Sequence, residues 1–505
     1  MQTLHIILST VILLLTIPIG TLRANVKLPA VFSEGMVLQR DRKIPVWGWA
    51  DDGEKVKISI YNRGTKPLIQ AQTVARNGRF RLTLDPLPVG GPYTMLMEAK
   101  NRFIFTDILV GEVWITCGQS NAIWPVSETA SIEEARANRD KYPGIRHIQL
   151  GHRKYRQADK PYEKLGAFWG RPKWEDSRYS LMRSNKDIPG CQNAIGYYFA
   201  REVYKHFDGK VPVGTIDIGA IIRVESWVAD RFVAKDPVLE KIRGKRYPHE
   251  TSRAYNANIA PLSPYPVRGA IYYQGEMNAG NAKVYRHGLE MLIKSWRAAW
   301  DDPDMPFLIV QLPGFIKHKG PKHKYDMDAK SLASFKGNDA SHGFVGIRQA
   351  QLQVWQNTPH TGMAVTIDLG EPFNIHPPRK REVAERLFLQ ARKVAYGDEE
   401  VLASGPVPAK FQKINNGFAI EFKNIGRGLS VKGKNLTGFE LAGENGNFTV
   451  ADARIEGDRV IVTSGEIQHP SAVRYAWKGY PQVSLYNKKG LPATPFRHLP
   501  KDQNK

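Results

Sequence analysis

Residues 103–121 read FIFTDILVGEVWITCGQSN and carry the strongest structural signal in the chain. The long apolar run predicts a buried β-strand, and the glycine and polar residues after Cys117 suit a turn at its end. A serine on a turn at the end of a buried strand is how an α/β hydrolase exposes a nucleophile. Ser120 is therefore a candidate nucleophile; the alternative is an ordinary strand-to-helix turn in which this serine caps the helix.

A serine hydroxyl becomes a good nucleophile only when a base takes its proton. If Ser120 is a nucleophile, a base and an oxyanion site should stand at the ends of other strands. The middle of the chain supplies such strands, because strand-like segments alternate there with amphipathic helices, a pattern that predicts a parallel sheet with helices on both faces. These segments are residues 213–219, 269–273, 307–312 and 363–367.

Short strands separated by turn clusters stand on both sides of this region and predict an all-β unit at each end. We therefore expect an N-terminal β domain over residues 25–105, an α/β catalytic domain over 106–400 and a C-terminal β domain over 401–505. A chain of 505 residues is long enough for several domains.

The formal net charge of +23 favours anionic partners. The sequence has no zinc-finger spacing, no aromatic RNA-binding motif and no recognisable basic DNA-binding helix, which argues against nucleic acid. An acidic glycan or an anionic envelope is the better candidate partner. A basic surface that is merely solvated is the alternative.

Residues 6–17 are almost wholly apolar, and Ala24 ends a passable cleavage site, which together predict a signal peptide over residues 1–24. We therefore expect an exported protein, secreted or periplasmic. The apolar run is too short to span a bilayer, so no stable membrane insertion is expected. The two cysteines, Cys117 and Cys191, form neither a disulfide framework nor a metal site. A buried free thiol is the preferred interpretation of Cys117, although an export compartment would permit a bridge.

Two further strand ends supply candidates for the base and the oxyanion donor that a nucleophilic Ser120 would need. The strand that ends at Tyr273 continues into Gln-Gly-Glu-Met-Asn, where Asn278 is a candidate oxyanion donor, or alternatively a helix cap. The strand that ends at Ile367 continues into a loop containing His376, which is a candidate general base, or alternatively a surface loop histidine. Ligands of an open parallel sheet bind at the carboxyl ends of its strands, which is where all three side chains are expected.

Three segments resemble the sialate O-acetylesterase family of SGNH hydrolases, namely residues 111–121, 273–279 and 375–377. Similarity to the opening and closing segments of that family is found at residues 28–40, 438–443 and 490–497. The resemblance implies an α/β, SGNH-hydrolase-like parallel sheet flanked by helices, with all-β accessory domains at both ends. It also implies carbohydrate O-deacetylation without metal or cofactor, with an acetylated carbohydrate as the substrate. The basic net charge is compatible with an acidic sugar.

The roles that the resemblance implies are specific. Ser120 would attack the acetyl carbonyl, and His376 would take its proton and return one to the sugar oxygen. The backbone N–H groups of Ser120 and Gly219 and the side chain of Asn278 would bind the oxyanion. Apart from the resemblance, we predict substrate contacts for three further side chains: Gln119, Gln274 and Arg223.

The chain departs from the family pattern at two places. Asn374 stands where the family usually has an aspartate that orients the histidine; an amide can fix the tautomer but cannot stabilise imidazolium by charge. Two alternatives to this aspartate are open: a backbone carbonyl that substitutes for it, or one of three carboxylates that supplies the charge, namely Asp368, Glu371 or Glu276. The family's Gly-Gly pair is also replaced, by Gly219-Ala220.

These departures motivate a second hypothesis, a catalytically impaired relative that only binds carbohydrate. The sugar is not specified either, since the basic charge suits sialic acid, glucuronate-bearing xylan or a sulfated polysaccharide equally well. The sequence makes no prediction of oligomeric state.

Overall fold

The computed structural model describes residues 26–151, 154–165, 173–181, 192–245, 250–317 and 327–499. The predicted signal peptide and Cys191 lie outside the described residues. No helix within the described part of the chain is both long and apolar enough to cross a membrane.

Seven strands open the fold, and their side chains alternate between the core and solvent in β2 and β5. The strands are β1 (Val37–Gln39), β2 (Ile44–Trp49), β3 (Lys55–Tyr61), β4 (Ile69–Val74), β5 (Arg79–Leu84), β6 (Gly90–Glu98) and β7 (Arg102–Gly118). Strand β3 pairs antiparallel with β4 and β6, while β2 and β5 form a separate two-stranded ribbon.

Six strands follow in the middle of the chain: β8 (Ile145–Leu150), β9 (Glu175–Asp176), β10 (Val213–Gly219), β11 (Gly269–Tyr273), β12 (Phe307–Val310) and β13 (Thr361–Ala364). With β7 they form a sheet in the order β13-β12-β11-β7-β10-β8-β9, in which only β9 runs antiparallel to its neighbour. The first half of β7 pairs with β6, and its second half is a central strand of this sheet. The predicted domain boundary after residue 105 falls inside β7.

The helices are α1 (Ile132–Ala137), α2 (Ser177–Ser180), α3 (Ala194–His206), α4 (Asp230–Val233), α5 (Ala282–Trp300), α6 (Ala329–Ala333), α7 (Gly343–Asn357) and α8 (Lys380–Val394). Helix α3 packs beside α8, and α5 packs beside α7. Trp114 of β7 contacts Phe199 of α3, whereas Phe307 of β12 contacts Trp296 of α5 from the other face of the sheet. The predicted α/β fold, a parallel sheet flanked by helices, is confirmed.

The central strands end in register at one edge of the sheet. Gly118 of β7 is paired with Gly219 of β10 on one side and with Tyr273 of β11 on the other. Strand β13 ends at Ala364, earlier than the predicted Ile367. The last backbone hydrogen bond here runs from the N–H of Gln311 to the carbonyl of Ala364. The carbonyl of Gln311 then accepts from the side-chain hydroxyl of Thr366, so a side chain takes the place of the next backbone donor.

The C-terminal part consists of short strands, as predicted for an all-β unit. They are β14 (Val407–Ile414), β15 (Gly417–Lys423), β16 (Leu429–Val431), β17 (Phe439–Ala442), β18 (Phe448–Val450), β19 (Asp452–Glu456), β20 (Arg459–Thr463), β21 (Ala472–Tyr475), β22 (Leu485–Asn487) and β23 (Phe496–His498). Buried Arg348 of α7 joins this part to the sheet, because its guanidinium donates to the carbonyl oxygens of Lys478 and Gly479.

Candidate active site

The turn that carries Ser120 depends on Gly118. This glycine has a φ of +146°, and a Cβ there would lie 2.0 Å from the carbonyl oxygen of Tyr273. Only glycine therefore allows β7 to end so close to β11. The next residue, Gln119, donates its backbone N–H to the same Tyr273 oxygen at 3.2 Å, and the turn closes with Ala122 N–H bonded to the Gln119 carbonyl at 2.8 Å. The result is a partly exposed Ser120 at the carboxyl edge of the sheet.

The structure brings Ser120 and His376 together. Nε2 of His376 lies 2.8 Å from Oγ of Ser120, a hydrogen-bond distance. The imidazole also stacks on the indole of Trp124, with ring centroids 4.1 Å apart and planes 15° from parallel. A hydroxyl held against an imidazole whose ring plane is fixed is the arrangement of an activated nucleophile. No sequence signal indicated this role for Trp124, an ordinary aromatic residue shortly after the nucleophile turn.

Asn374 shapes the backbone beside the histidine. Its Oδ1 accepts a hydrogen bond of 2.9 Å from the backbone N–H of His376, and its Nδ2 donates to Oε2 of Glu371 at 2.9 Å. Asp368, another candidate orienting residue, receives two hydrogen bonds from the guanidinium of Arg386, of 2.6 Å and 2.9 Å. These contacts favour a structural role for Asp368 in the loop after β13.

Asn121 links the nucleophile turn to the histidine loop. Its Nδ2 donates to Oε1 of Glu276 at 2.6 Å and to the carbonyl oxygen of Ile375 at 2.9 Å. Glu276 thus reaches the residue that follows Ser120. Burial raises the pKa of Glu276, and the hydrogen bond from Asn121 opposes that rise.

Lys380 completes this link from the first turn of α8. Its fully buried ammonium donates to Oδ1 of Asn121 at 2.6 Å and to the carbonyl oxygen of Pro377 at 2.8 Å. The carbonyls on both sides of His376, those of Ile375 and Pro377, are therefore anchored to the Asn121–Lys380 pair. Burial lowers the pKa of Lys380 to about 7, although nearby Glu276 acts in the opposite direction. No sequence signal marks Lys380, because it lies in an ordinary basic run.

A second buried network lies beneath the nucleophile turn. Asn278 accepts hydrogen bonds from the Val224 backbone N–H at 3.0 Å and from Nε2 of Gln274 at 2.9 Å, and it donates to Oε2 of Glu225 at 3.0 Å. Gln274 also donates to Oε1 of Gln119 at 3.1 Å. Gln119 and Gln274 are buried, with 4% and 0% exposure. We predicted substrate contacts for both; their burial in this network instead favours support of the site from below.

Two residues predicted as oxyanion donors, Ser120 and Gly219, lie at the ends of the neighbouring strands β7 and β10. The backbone N–H of Ser120 makes no hydrogen bond to any residue that the structure describes. Gly219 ends β10 directly beside Gly118, and the side chain of Ile123 packs so closely over it that a Cβ would lie 2.6 Å from that isoleucine. A free amide beside the nucleophile is what an oxyanion site requires.

Arg223 directly precedes the 3-10 turn Val224–Trp227, whose first backbone N–H is bound to Asn278. Its Nε is buried and has no hydrogen-bond partner in the described part of the chain. Arg223 as a whole is half-buried. A buried guanidinium nitrogen without a partner is costly unless an acceptor, such as an anionic group of a ligand, binds it. The described residues hold no cluster of three or more histidine, cysteine or acidic side chains that could bind a metal ion.

Comparison with known proteins gives concordant results. Residues 110–374 match the family model described as "Carbohydrate esterase, sialic acid-specific acetylesterase". The human sialate O-acetylesterase is 26% identical over 514 aligned residues, which cover 93% of this chain and 91% of the human protein, and the mouse enzyme is 24% identical. A crystal structure of a carbohydrate acetylesterase from Xanthomonas citri superposes with a TM-score of 0.76 at 31% identity, covering 94% of this chain and 99% of that one.

Proposed function

The chain belongs to the family of sialic acid-specific acetylesterases, and we propose that it removes O-acetyl groups from a glycan with Ser120 as its nucleophile. Membership of this family makes it a carbohydrate esterase, a carboxylic ester hydrolase. The observation that carries the serine mechanism is the 2.8 Å contact between Ser120 Oγ and His376 Nε2 at the carboxyl edge of the sheet.

In the first half-reaction, Ser120 Oγ attacks the acetyl carbonyl carbon while His376 Nε2 accepts the hydroxyl proton. The tetrahedral intermediate then collapses, the bond between the acyl carbon and the sugar oxygen breaks, and His376 returns the proton to that oxygen. In the second half-reaction water attacks the acetyl-serine, again giving a proton to His376. Acetate leaves, and the proton returns to Ser120.

The negative charge that develops on the carbonyl oxygen needs donors fixed in advance. We assign the backbone N–H of Ser120, which has no partner among the described residues, to this role, together with the N–H of Gly219 and the second amide hydrogen of Asn278. The hydrogen bonds of Asn278 to Val224, Gln274 and Glu225 support this assignment, because they hold its amide rigidly. Each such donor is typically worth about 10²–10³ in turnover.

We propose that the substrate is an acidic sugar. Two observations support this: the net charge of +23, and the buried Nε of Arg223 that lacks a partner among the described residues. The mammalian relatives are named for sialate, an acid of this kind. Arg223 would pair with the sugar carboxylate while the acetyl group occupies the Ser120 site. We further propose that the predicted signal peptide directs export, so that the enzyme meets its glycan outside the cytoplasm.

The serine mechanism is tested by hydrolysis of p-nitrophenyl acetate. Ser120→Ala should lower kcat by about 10³-fold or more, because the nucleophile is removed. Ser131→Ala is the matched control, since Ser131 precedes α1 without making a side-chain capping bond. If folded Ser120→Ala turns over as fast as wild type, the serine mechanism is wrong.

A further inference from the structure

The outward face of the β2–β5 ribbon carries paired tryptophans and arginines. Trp47 lies opposite Arg81, and Trp49 lies opposite Arg79. In each strand the two residues are two positions apart, so both point to the same face and are separated by about 7 Å. The ribbon therefore presents two successive rungs, each with an indole beside a guanidinium.

These rungs form one wall of a cavity of about 550 Å³, here called the Trp–Arg groove. The opposite wall is made by Pro161, Tyr162 and Glu163 and by residues of the 260–264 loop. A second cavity of about 770 Å³ is also lined by Arg81 and Pro264, so it lies next to the groove. Volumes of this size are typical of ligand sites. No residue lining the groove belongs to the Ser120–His376 site.

Among the described residues, the groove presents a cation and hydrogen-bond donors that have no protein partner. Arg79 pairs with Glu163 across the groove, whereas exposed Arg81 forms neither an ion pair nor a hydrogen bond with any described residue. Lys164 adds a second positive charge, with its ammonium 5.8 Å from the ring of Trp49. Within the described part of the chain, the indole N–H groups of Trp47 and Trp49 also lack an acceptor.

The aromatic wall is held in place before any ligand arrives. Trp47 packs edge-on against Phe32, with ring centroids 4.9 Å apart, while its other side lines the groove. A rigid aromatic side chain loses little entropy on binding, which favours its use as a platform. Its flat apolar face suits the apolar face of a sugar ring, and its N–H suits a sugar hydroxyl.

We propose that the Trp–Arg groove binds an anionic polysaccharide, with sugar rings on Trp47 and Trp49 and a carboxylate or sulfate group on Arg81. An aromatic platform alone would accept neutral sugars. The guanidinium of Arg81, which has no partner in the described part of the chain, adds the preference for an anion. Arginine pairs strongly and with defined geometry with carboxylate and sulfate groups. The groove would hold the polymer on the enzyme independently of acetyl hydrolysis.

The test is isothermal titration calorimetry of the full chain with three unacetylated polymers: polygalacturonate, dextran sulfate and neutral dextran. We expect at least one of the two anionic polymers to bind and neutral dextran not to bind. Tighter binding of polygalacturonate would indicate recognition of carboxylate, and tighter binding of dextran sulfate would indicate recognition of sulfate. Arg81→Gln and Trp49→Ala should each weaken the preferred polymer about tenfold. Both variants should hydrolyse p-nitrophenyl acetate at the wild-type rate. Loss of polymer binding can therefore be distinguished from loss of the serine mechanism.

Arg76→Gln is the matched control, because this exposed arginine of the same domain does not line the groove and its loss changes the net charge equally. Its affinity for the polymer should equal that of wild type. The proposal is overturned if Arg76→Gln and Arg81→Gln weaken binding equally, which would indicate attraction by net charge alone. It is also overturned if neither anionic polymer binds, or if dextran binds as tightly.

Discussion

His376 Nε2 lies 2.8 Å from Ser120 Oγ, although the two residues are 256 positions apart in the sequence. Two buried hydrogen-bonded residues hold this distance. Asn121 binds the carbonyl before His376, and Lys380 binds the one after it. The turn that carries Ser120 and the loop that carries His376 are therefore connected by the hydrogen bonds of Asn121 and Lys380, here called the Asn121–Lys380 bridge, as well as by the contact between Ser120 and His376 themselves.

Removal of the buried ammonium should separate the two catalytic side chains. Lys380→Met leaves Oδ1 of Asn121 and the carbonyl of Pro377 without a donor, a loss of about 1–3 kcal/mol per buried group. We expect kcat for a small acetyl ester to fall at least about tenfold with little change in KM, because the variant disturbs positioning and leaves binding intact. Lys393→Met, at an exposed position of α8, should behave as wild type. An unchanged kcat in a folded Lys380→Met variant would contradict the bridge.

The same lysine should affect stability at alkaline pH. Its pKa in the folded protein is about 7, below the ordinary 10.5, so the unfolded chain binds more protons between those values. The contribution of Lys380 to the free energy of unfolding therefore rises with pH through this window and is smallest below pH 7. Urea unfolding from pH 7 to 10 should show this rise in wild type, and Lys380→Met should reduce it.

Introduction of the family's usual aspartate should not improve this enzyme. Asn374 uses its Nδ2 to donate to Glu371, so Asn374→Asp would set two carboxylates against each other. We expect kcat to fall several-fold. The double variant Asn374→Asp/Glu371→Gln should recover activity, because the new glutamine can donate to the new aspartate. An increase in kcat for Asn374→Asp alone would contradict this expectation. It would show that this chain has lost a catalytically useful aspartate at position 374 and has no other group in its place.

Charge recognition in the active site is tested at Arg223. Arg223→Gln should raise KM about tenfold for an O-acetylated sialic acid, because a charged hydrogen bond is lost, and should leave an acetylated neutral xylo-oligosaccharide unaffected. Arg231→Gln, at an exposed position, is the control for net charge. Equal effects of Arg223→Gln on both substrates would refute recognition of the acid.

Stability at neutral pH should be limited by Asp217. This carboxyl group is buried between β10 and Gly196 of α3, with Nδ1 of His147 3.8 Å away, and burial raises its pKa to about 8. The unfolded chain ionises it near 3.8, so the stability conferred by the protonated form is lost as pH rises from about 4 to 8, by at most about 1.4 kcal/mol per pH unit. Asp217→Asn should flatten this fall in thermal melts, whereas Asp85→Asn, at the surface, should not. Identical slopes for wild type and Asp217→Asn would contradict the assignment.

Much of the site was predictable because it depends on where strands end. A serine, an asparagine and a histidine stand after three separate buried strands, and the carboxyl ends of parallel strands share one edge of the sheet. The contributions of Trp124 and Lys380 were not predictable, since a stacked indole and a buried ammonium look like ordinary surface residues until the loops are packed. The roles of Gln119 and Gln274 were mispredicted for the same reason. Their polarity indicated substrate contact, whereas their burial favours a role in supporting the nucleophile turn.

The most direct test of the central claim is reaction with a fluorophosphonate, which labels activated serines, followed by peptide mass spectrometry. We predict one phosphonyl group, located on Ser120, in step with loss of acetylesterase activity, and much slower labelling of His376→Ala. Inactivation with the label on another residue, or full activity after Ser120 has been modified, would contradict the account.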